Sequence, residues 1–273
     1  MNTMNYHWQR FTLAEKLSRY SVYLVLVLAL FMSIRTVEVI PEFFFDAPEQ
    51  MADLFTRMWP IDFASYPITV QGAMIETLNI ATLGTLLTLI FAVPLALMNA
   101  NNVVASAWSQ WIARFFLVSS RSVNSLVWAL LFVAIFGPGI LAGVLAIAFR
   151  SVGFIGKLLG ETIENINMGP VEAIRATGAP WLSVLLKGYW PQVMPAFFSI
   201  ILFRWDINVR ESAVLGLVGA GGIGVVINDA MNLFEWQRVS MALLAIFVVV
   251  IMAKIVVVIM AEIVVVNIRK RLI

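Results

Sequence analysis

Residues 216–224, GLVGAGGIG, contain glycines at the spacing of a dinucleotide-binding turn, G-x-G-x-x-G, which begins at Gly219. Such a turn follows a strand, opens a helix within a βαβ unit and is followed about 20 residues later by an acid that binds a ribose. No βαβ alternation surrounds these glycines, and Asp229 and Glu235 come too soon for the ribose position. The pattern therefore does not predict a nucleotide site. Two interpretations stay open: close packing of helices, and a bend where the backbone approaches a partner or moves.

A second stretch, residues 153–157, ends in a glycine and a lysine like a phosphate-binding P-loop. In that loop a Ser or Thr after the lysine binds magnesium, and a glycine starts the motif. Leu158 and Ser151 occupy those two positions here, so we do not expect this chain to bind ATP in a P-loop. Cysteine is absent and His7 is the single histidine, which leaves no thiolate nucleophile and no predicted metal site.

The composition indicates a membrane protein. Of the 273 residues, 61% are hydrophobic and only 12% are charged, with a mean hydropathy of +0.92, whereas a soluble domain carries about 25% charged residues. The net charge of +2 is too small for a field that would attract nucleic acid. An intramembrane enzyme would need paired polar groups at one depth, and the scattered acids and the lack of a histidine within an apolar stretch argue against it.

Apolar stretches long enough to cross a hydrocarbon core of about 30 Å predict an all-α protein with six transmembrane helices. The sixth stretch, 190–226, is interrupted by the charged residues of 204–211 and then by glycines, so it is either one long span with an interruption or a discontinuous element. A cleaved signal peptide is the alternative for the first stretch, but no small-x-small site follows it. The five clear stretches are 20–34, 72–98, 111–136, 140–156 and 241–266.

The placement of lysine and arginine predicts that both termini are cytoplasmic, because most of the 18 basic residues, Arg150 among them, then belong to inner segments. The segment 35–67 is acidic, which suits an outer loop. The predicted division is a cytoplasmic N-terminal segment at 1–19, the first transmembrane helix with its acidic outer loop at 20–70, and a core at 71–273.

The longest inner loop of that core is 157–190. Within it, residues 172–177 favour a short helix that ends at Gly178, with Pro180 beyond it as a stop signal. A helix of two or three turns on the cytoplasmic side can serve as a docking element. The alternative is an interfacial helix that merely links two spans.

This loop resembles the EAA loop of bacterial ABC importer permeases. Glu172 and Ala173 are followed by Gly178 five positions after the alanine, and by Pro191 thirteen positions further on; Ile174 replaces the second alanine of that pattern. From about residue 70 to the C-terminus the chain resembles, in order, the permeases of phosphonate and phosphite importers. The stretches that carry this resemblance are 76–97, 126–133 and 208–224.

The resemblance implies a type I ABC importer permease in the bacterial inner membrane that works by alternating access as a homodimer. Its partners would be a second permease copy, two ABC ATPase subunits that bind ATP and magnesium, a periplasmic substrate-binding protein and membrane lipid. This chain would bind no cofactor of its own and would carry phosphonate, phosphite or a related phosphorus oxyanion. A methionine-type permease is the alternative, although such permeases usually have five spans. A passive channel is a further alternative, but it would not need the inner loop that contains Glu172.

The resemblance assigns Glu172, Ala173 and Gly178 to coupling with the ATPase, and Arg175 and Thr177 are added as neighbours on the same helix. Ionisable groups at membrane depth cost at least about 2.5 kcal/mol, which makes them candidates for the translocation path. A polar patch around Arg121 could contact an oxyanion, whereas Asp206 and Arg210 could simply pair along one helix face. The predicted path or gate residues are Glu76, Arg121, Ser122, Asn124, Arg210, Glu211, Gly219, Gly221, Gly222 and Gly224.

Overall fold

The computed structural model describes residues 11–36, 42–104 and 106–272, with side chains described as far as residue 263. His7 and Arg10 lie outside the described residues. Helices occupy nearly all of the described ranges: α1 (Leu13–Thr36), α2 (Glu42–Met58), α3 (Gln71–Asn99), α4 (Ala107–Ser122), α5 (Ser125–Phe136), α6 (Ile140–Glu164), α7 (Met168–Ala176), α8 (Trp181–Val184), α9 (Trp190–Leu215), α10 (Ile223–Asn232) and α11 (Trp236–Leu272). Short π-helical turns precede α3 (Tyr66–Val70) and α9 (Leu185–Tyr189), and a 3-10 turn (Gly216–Val218) follows α9.

The chain divides into two compact units, Met1–Thr56 and Arg57–Ile273. The first unit contains α1, which carries no charged residue between Arg19 and Arg35 and is apolar enough to cross a membrane. It also contains nearly all of α2, a helix within the segment that the sequence analysis treated as a loop. Acidic Glu42 in the first turn of α2 and basic Arg57 in its last turn both favour the helix dipole.

The second unit is built around α6, which packs against α3 through small side chains. A Cβ added at Gly84 of α3 would lie 2.7 Å from Cγ2 of Ile147 on α6, and one added at Gly160 of α6 would lie 2.9 Å from Nδ2 of Asn99. Ala92 and Ala96 on α3 are fully buried. Because no hydrophobic force drives helices together in lipid, this close backbone approach is what stabilises the pair.

Five helical stretches of the described chain are long and apolar enough to span a membrane, and a bent pair, α4 and α5, makes a sixth if it is counted as one span. The stretch predicted as one span at 111–136 contains two helices, because α4 and α5 meet at an angle of 92°. The reason is local: Val123 is extended, and the side chain of Asn124 accepts a hydrogen bond from the backbone N–H of Leu126, which starts a new helix.

The stretch 190–226, for which two interpretations were open, is a continuous helix that is interrupted only at its glycines. α9 runs without a break through Arg204 and Glu211 and ends at Leu215. Gly219, Gly221 and Gly222 then adopt positive φ values of 84°, 81° and 77°, which an L side chain rarely adopts. The charged cluster is thus helical, and the interruption of this span is the glycine turn.

The inner loop 157–190 is mostly helical. α6 continues to Glu164, and α7 begins after Asn167, whose side chain accepts a hydrogen bond from the backbone N–H of Gly169 at 3.0 Å. Gly178 has a φ of +73° directly after the C-cap Thr177. The short helix predicted to end at Gly178 is confirmed, although it starts earlier, at Met168.

We expect Gly224→Ala to destabilise the chain by about 1–3 kcal/mol, because the new methyl group would overlap the carbonyl oxygen of Ala213 and lie 2.7 Å from Cα of Gly216. Gly72→Ala is the matched control, since nothing lies within 4 Å of its Cβ position. The measurement is the thermal unfolding midpoint of the purified chain in detergent. Equal midpoints for the two variants would contradict this account of the helix packing.

Candidate functional site

A hydrogen-bonded network joins α3, α6 and α9 near the middle of each helix. Asn208 of α9 is completely buried, and its Nδ2 donates to Oγ1 of Thr85 on α3 at 2.8 Å. The hydroxyl of Ser151 on α6 donates to Oδ1 of Asn208 at 3.1 Å. Every partner in this chain of contacts is itself buried. The three helices are therefore held in one register by side chains that have no access to water.

Arg204 extends this network, although only 4% of its side chain is exposed. Its Nε donates to Oγ of Ser151 at 2.9 Å, and its Nη2 lies 3.4 Å from Oε2 of Glu211. The guanidinium also lies over the ring of Phe154, with 5.2 Å from Cζ to the ring centre. A buried arginine is thus satisfied by a hydroxyl, a carboxylate and an aromatic face.

A second arginine meets the same carboxylate. Nη1 of Arg150 lies 2.6 Å from Oε1 of Glu211 and 3.1 Å from Oγ of Ser125 on α5. Glu211 therefore bridges two guanidinium groups, one with each oxygen. We call Arg150, Arg204 and Glu211 the arginine bridge. The assignment of Arg150 to an inner segment is wrong, because Arg150 lies within α6, a helix long enough to span the membrane.

Arg210 belongs to a separate pair. Its Nη2 lies 2.6 Å from Oδ2 of Asp206, one turn earlier on α9. This confirms that the two residues pair along one helix face. Because the pair is neutral, it adds no net charge to the arginine bridge.

The glycine turn is anchored to the start of α3. Oε2 of Glu76 accepts a hydrogen bond from the backbone N–H of Gly222 at 3.2 Å, and Oγ1 of Thr77 accepts one from Ile223 at 2.8 Å. A Cβ at Gly221 would lie 3.1 Å from the backbone nitrogen of Ile140, where α6 begins. The structure therefore brings the predicted gate residues Glu76, Gly221 and Gly222 together, and the side chains of Glu76 and Thr77 each occupy one backbone N–H of the turn that a phosphate would need.

The polar patch at the end of α4 is used mainly for local structure. Asn124 caps α5, and the hydroxyl of Ser122 donates to the carbonyl of Ser119 at 2.9 Å. Arg121 is exposed, and in the part of the chain that the structure describes its guanidinium makes no hydrogen bond or ion pair. The hydroxyl of Ser120 contacts the carbonyl of Phe149 and accepts from the backbone N–H of Gly153, which fastens α4 to α6.

A polar cavity of about 640 Å³ lies between the C-terminal half of α6 and the N-terminal half of α9. Residues of the link between α6 and α7 also line it. The residues around the cavity are Leu158, Glu161, Thr162, Asn165, Ile166, Asn167, Gln192, Ala196, Ser199 and Ile200. Its polar lining would hold water at the same end of the helices as α7.

α7 presents one face to solvent and anchors the other. Val171 is fully buried, and its Cα lies 3.3 Å from the Cβ position of Gly188. The hydroxyl of Tyr189 donates to the carbonyl of Asn102 at 2.9 Å and accepts from Nη2 of Arg175 at 3.4 Å. These contacts leave a protruding surface, which we call the α7 surface; it consists of the exposed residues Glu172, Ala173, Arg175, Ala176, Thr177 and Gly178.

Sequence reasoning found Glu211 but missed the residues that bind it. Arg204 was noted only as an interruption, and Ser151 and Asn208 carry no charge that would mark them within an apolar stretch. A usable signal existed for Arg150, because an arginine inside the predicted span 140–156 should have been assigned a buried acidic partner.

Comparison with known proteins identifies the family. Residues 84–273 match the family described as binding-protein-dependent transport system inner membrane component. The chain belongs to this family. It is therefore an inner-membrane permease subunit and not an enzyme, which excludes the intramembrane-enzyme interpretation.

Individual relatives agree with this assignment. The permease is 41% identical over 194 residues, 71% of its own length and 68% of the relative, to the putative phosphite transport system permease protein HtxC of Stutzerimonas stutzeri. It is 38% identical over 200 residues, 73% of its length and 72% of the relative, to the phosphite transport system permease protein PtxC of Stutzerimonas stutzeri. A structure of the inward-facing MetNI methionine ABC transporter superposes with a TM-score of 0.65 at 18% identity, over 75% of this chain and 99% of that chain. The fold of the permease is that of a type I ABC importer.

Asn208→Ala is expected to destabilise the permease by about 2 kcal/mol, because it removes two buried hydrogen bonds, the one that Asn208 donates to Thr85 and the one that it accepts from Ser151. Thr82→Val is the control, since it removes two exposed hydrogen bonds, the one that Thr82 accepts from Trp205 of α9 and the one that it donates to the carbonyl of Leu78. Thermal unfolding in detergent would compare the variants. If Thr82→Val lowers the unfolding midpoint as much as Asn208→Ala does, the buried network does not set the helix register.

Proposed function

We propose that this permease carries phosphite, phosphonate or a related phosphorus oxyanion into the bacterial cytoplasm. The observation that supports it is the identity of 41% and 38% to two permeases that are named for phosphite transport, over most of both chains. The arginine bridge agrees with an anionic substrate, because guanidinium groups bind oxyanions through paired N–H donors. The methionine alternative has weaker support, because two methionine permeases are only 25% and 29% identical over 42% and 33% of this chain, and the structural neighbour at 18% identity carries only the fold.

In this proposal two copies of the permease surround the path about a two-fold axis. Both termini and α7 face the cytoplasm, so residues 1–19 are cytoplasmic, the first helix and outer segment occupy 20–70, and the permease core is 71–273. Two ATPase subunits bind ATP and magnesium and dock on the α7 surfaces, and a periplasmic binding protein delivers the substrate. The permease itself binds no cofactor.

The α7 surface is suited to transmit movement into the membrane. α9 starts at Trp190, directly after Tyr189, which joins α7 to the end of α3. The same helix carries Arg204 and Glu211. ATPase closure that pulls on α7 would therefore shift the helix that contributes two members of the arginine bridge, and alternating access follows from that coupling. The remaining predicted gate residues, Arg121, Ser122 and Asn124, border the same path at the α4–α5 bend.

Uptake into proteoliposomes tests the proposed substrate. The permease is reconstituted with its ATPase and binding protein, and ATP-driven uptake of phosphite and methylphosphonate is compared with that of sulfate and methionine. Uptake of a phosphorus oxyanion alone supports the proposal. Uptake of methionine instead would replace it with the methionine alternative.

Glu172→Ala is expected to lower substrate-stimulated ATP hydrolysis about tenfold while the permease still folds, because Glu172 is exposed and its carboxylate forms no hydrogen bond or ion pair with the described residues. Glu49→Ala removes an equally exposed acid from α2 and serves as the control. The measurement is ATPase activity of the complete reconstituted complex with and without substrate. Unchanged stimulation in Glu172→Ala would leave α7 as a mere link between two spans.

A further inference from the structure

The arginine bridge carries one uncompensated positive charge. Two guanidinium groups share the single carboxylate of Glu211, and no other acidic side chain in the described part of the chain pairs with either of them. Asp206 is already neutralised by Arg210. An excess charge in the interior of an apolar bundle is unfavourable unless a counter-ion approaches it. One bound anion would complete the neutralisation.

The two arginines also retain donors for such an anion. Among the described residues Arg150 uses only Nη1, for Glu211 and Ser125, which leaves its Nε and Nη2 hydrogens for a ligand. Arg204 uses Nε and Nη2 for Ser151 and Glu211, which leaves its Nη1 hydrogens. A guanidinium with free parallel N–H groups matches the oxygen spacing of a carboxylate or of a phosphorus oxyanion.

Access to the bridge comes along the groove between α6 and α9. Arg150 is the open member, with 30% of its side chain exposed, while Glu211 is 17% exposed. One turn further along α6, Phe154 packs against Phe203 of α9, with 6.2 Å between their ring centres. Beyond these rings lies the polar cavity that Leu158, Glu161 and Ser199 help to line. Because charged residues within a span avoid lipid, this groove is the side that faces the water-filled path.

We propose that Arg150 and Arg204 form an oxyanion site within the membrane and that Glu211 acts as its internal counter-ion. This inference rests on the proposed function and names the residues that contact the substrate. An oxyanion that reaches Arg150 binds the free donors of the two arginines. It also competes with the carboxylate of Glu211 for the donors that contact this carboxylate. Glu211 keeps the two arginines together between substrates and weakens the hold on the anion, so the anion is released and not trapped.

An oxyanion site and a purely structural ion pair predict different effects on phosphite binding when the charge of Arg150 or of Glu211 is removed. Arg150→Gln should raise the dissociation constant for phosphite about tenfold or more, since it removes charged hydrogen bonds. Glu211→Gln should lower that constant several-fold, because the competing carboxylate is gone, and should slow uptake because release becomes limiting. A structural pair would instead lose stability in both variants and gain affinity in neither.

The probe is phosphite, followed by 31P line broadening with the full-length permease in nanodiscs of zwitterionic lipid. The hydrogen bonded to phosphorus splits the phosphite signal and separates it from lipid phosphate. Lys254→Gln is the control, because Lys254 is an exposed cation on α11 outside the bridge. Thermal unfolding of each variant reports its folding, and Glu211→Gln keeps the test decisive if Arg150→Gln fails to fold.

Tighter phosphite binding in Glu211→Gln, together with native binding in Lys254→Gln, supports the site. Equal binding by the native chain and Arg150→Gln, or weaker binding in Glu211→Gln, would overturn it even where the native complex transports phosphite. Absence of uptake by the native complex would overturn the proposed function, and Arg150-dependent phosphite binding would then still support the anion site. Loss of phosphite binding when anionic lipid is added would show that a lipid headgroup occupies it, which overturns the assignment to substrate.

Discussion

Charged and polar side chains inside the apolar bundle have to satisfy one another, and this requirement determines how α3, α6 and α9 fit together. Asn208 donates a hydrogen bond to Thr85 and accepts one from Ser151, and the hydroxyl of Ser151 in turn accepts one from Arg204. Lipid offers none of these groups a partner. A shift of any one helix by a single turn would leave several of them unsatisfied, so the register is unique.

Small residues make this network possible. The hydrogen bonds span three helices only because the backbones approach closely, as at Gly84 of α3 against Ile147 of α6, and the same close packing occurs where Gly224 of α10 meets Gly216. The glycine turn requires glycine for another reason: Gly221 and Gly222 adopt positive φ values, which return the chain to Glu76 and Thr77. Packing and bending, which were alternatives for these glycines, thus both occur, at different positions of one segment.

Two members of the arginine bridge, Arg204 and Glu211, lie on α9, a helix that begins beside the α7 surface. Tyr189 connects Arg175 to the end of α3, and α9 continues from there to Glu211. In an ATP-driven permease the surface that contacts the ATPase and the residues that contact the substrate need to share a rigid element, because neither of them can drive transport alone. In the proposed function, α9, one uninterrupted helix of 26 residues, would supply that connection.

The amino-acid sequence by itself determined the class and the family resemblance of this protein, because apolar length and local motifs such as Glu172, Ala173 and Gly178 are properties of neighbouring residues. It also placed the end of α7, since a glycine after a short helix acts locally. The pairing of Arg150 with Glu211 was decided by the tertiary structure, and the bend between α4 and α5 comes from a local cap at Asn124 that the apolar pattern of 111–136 did not reveal. A capping side chain competes with helix continuation, and an arginine finds its partner 61 residues away only when two helices pack.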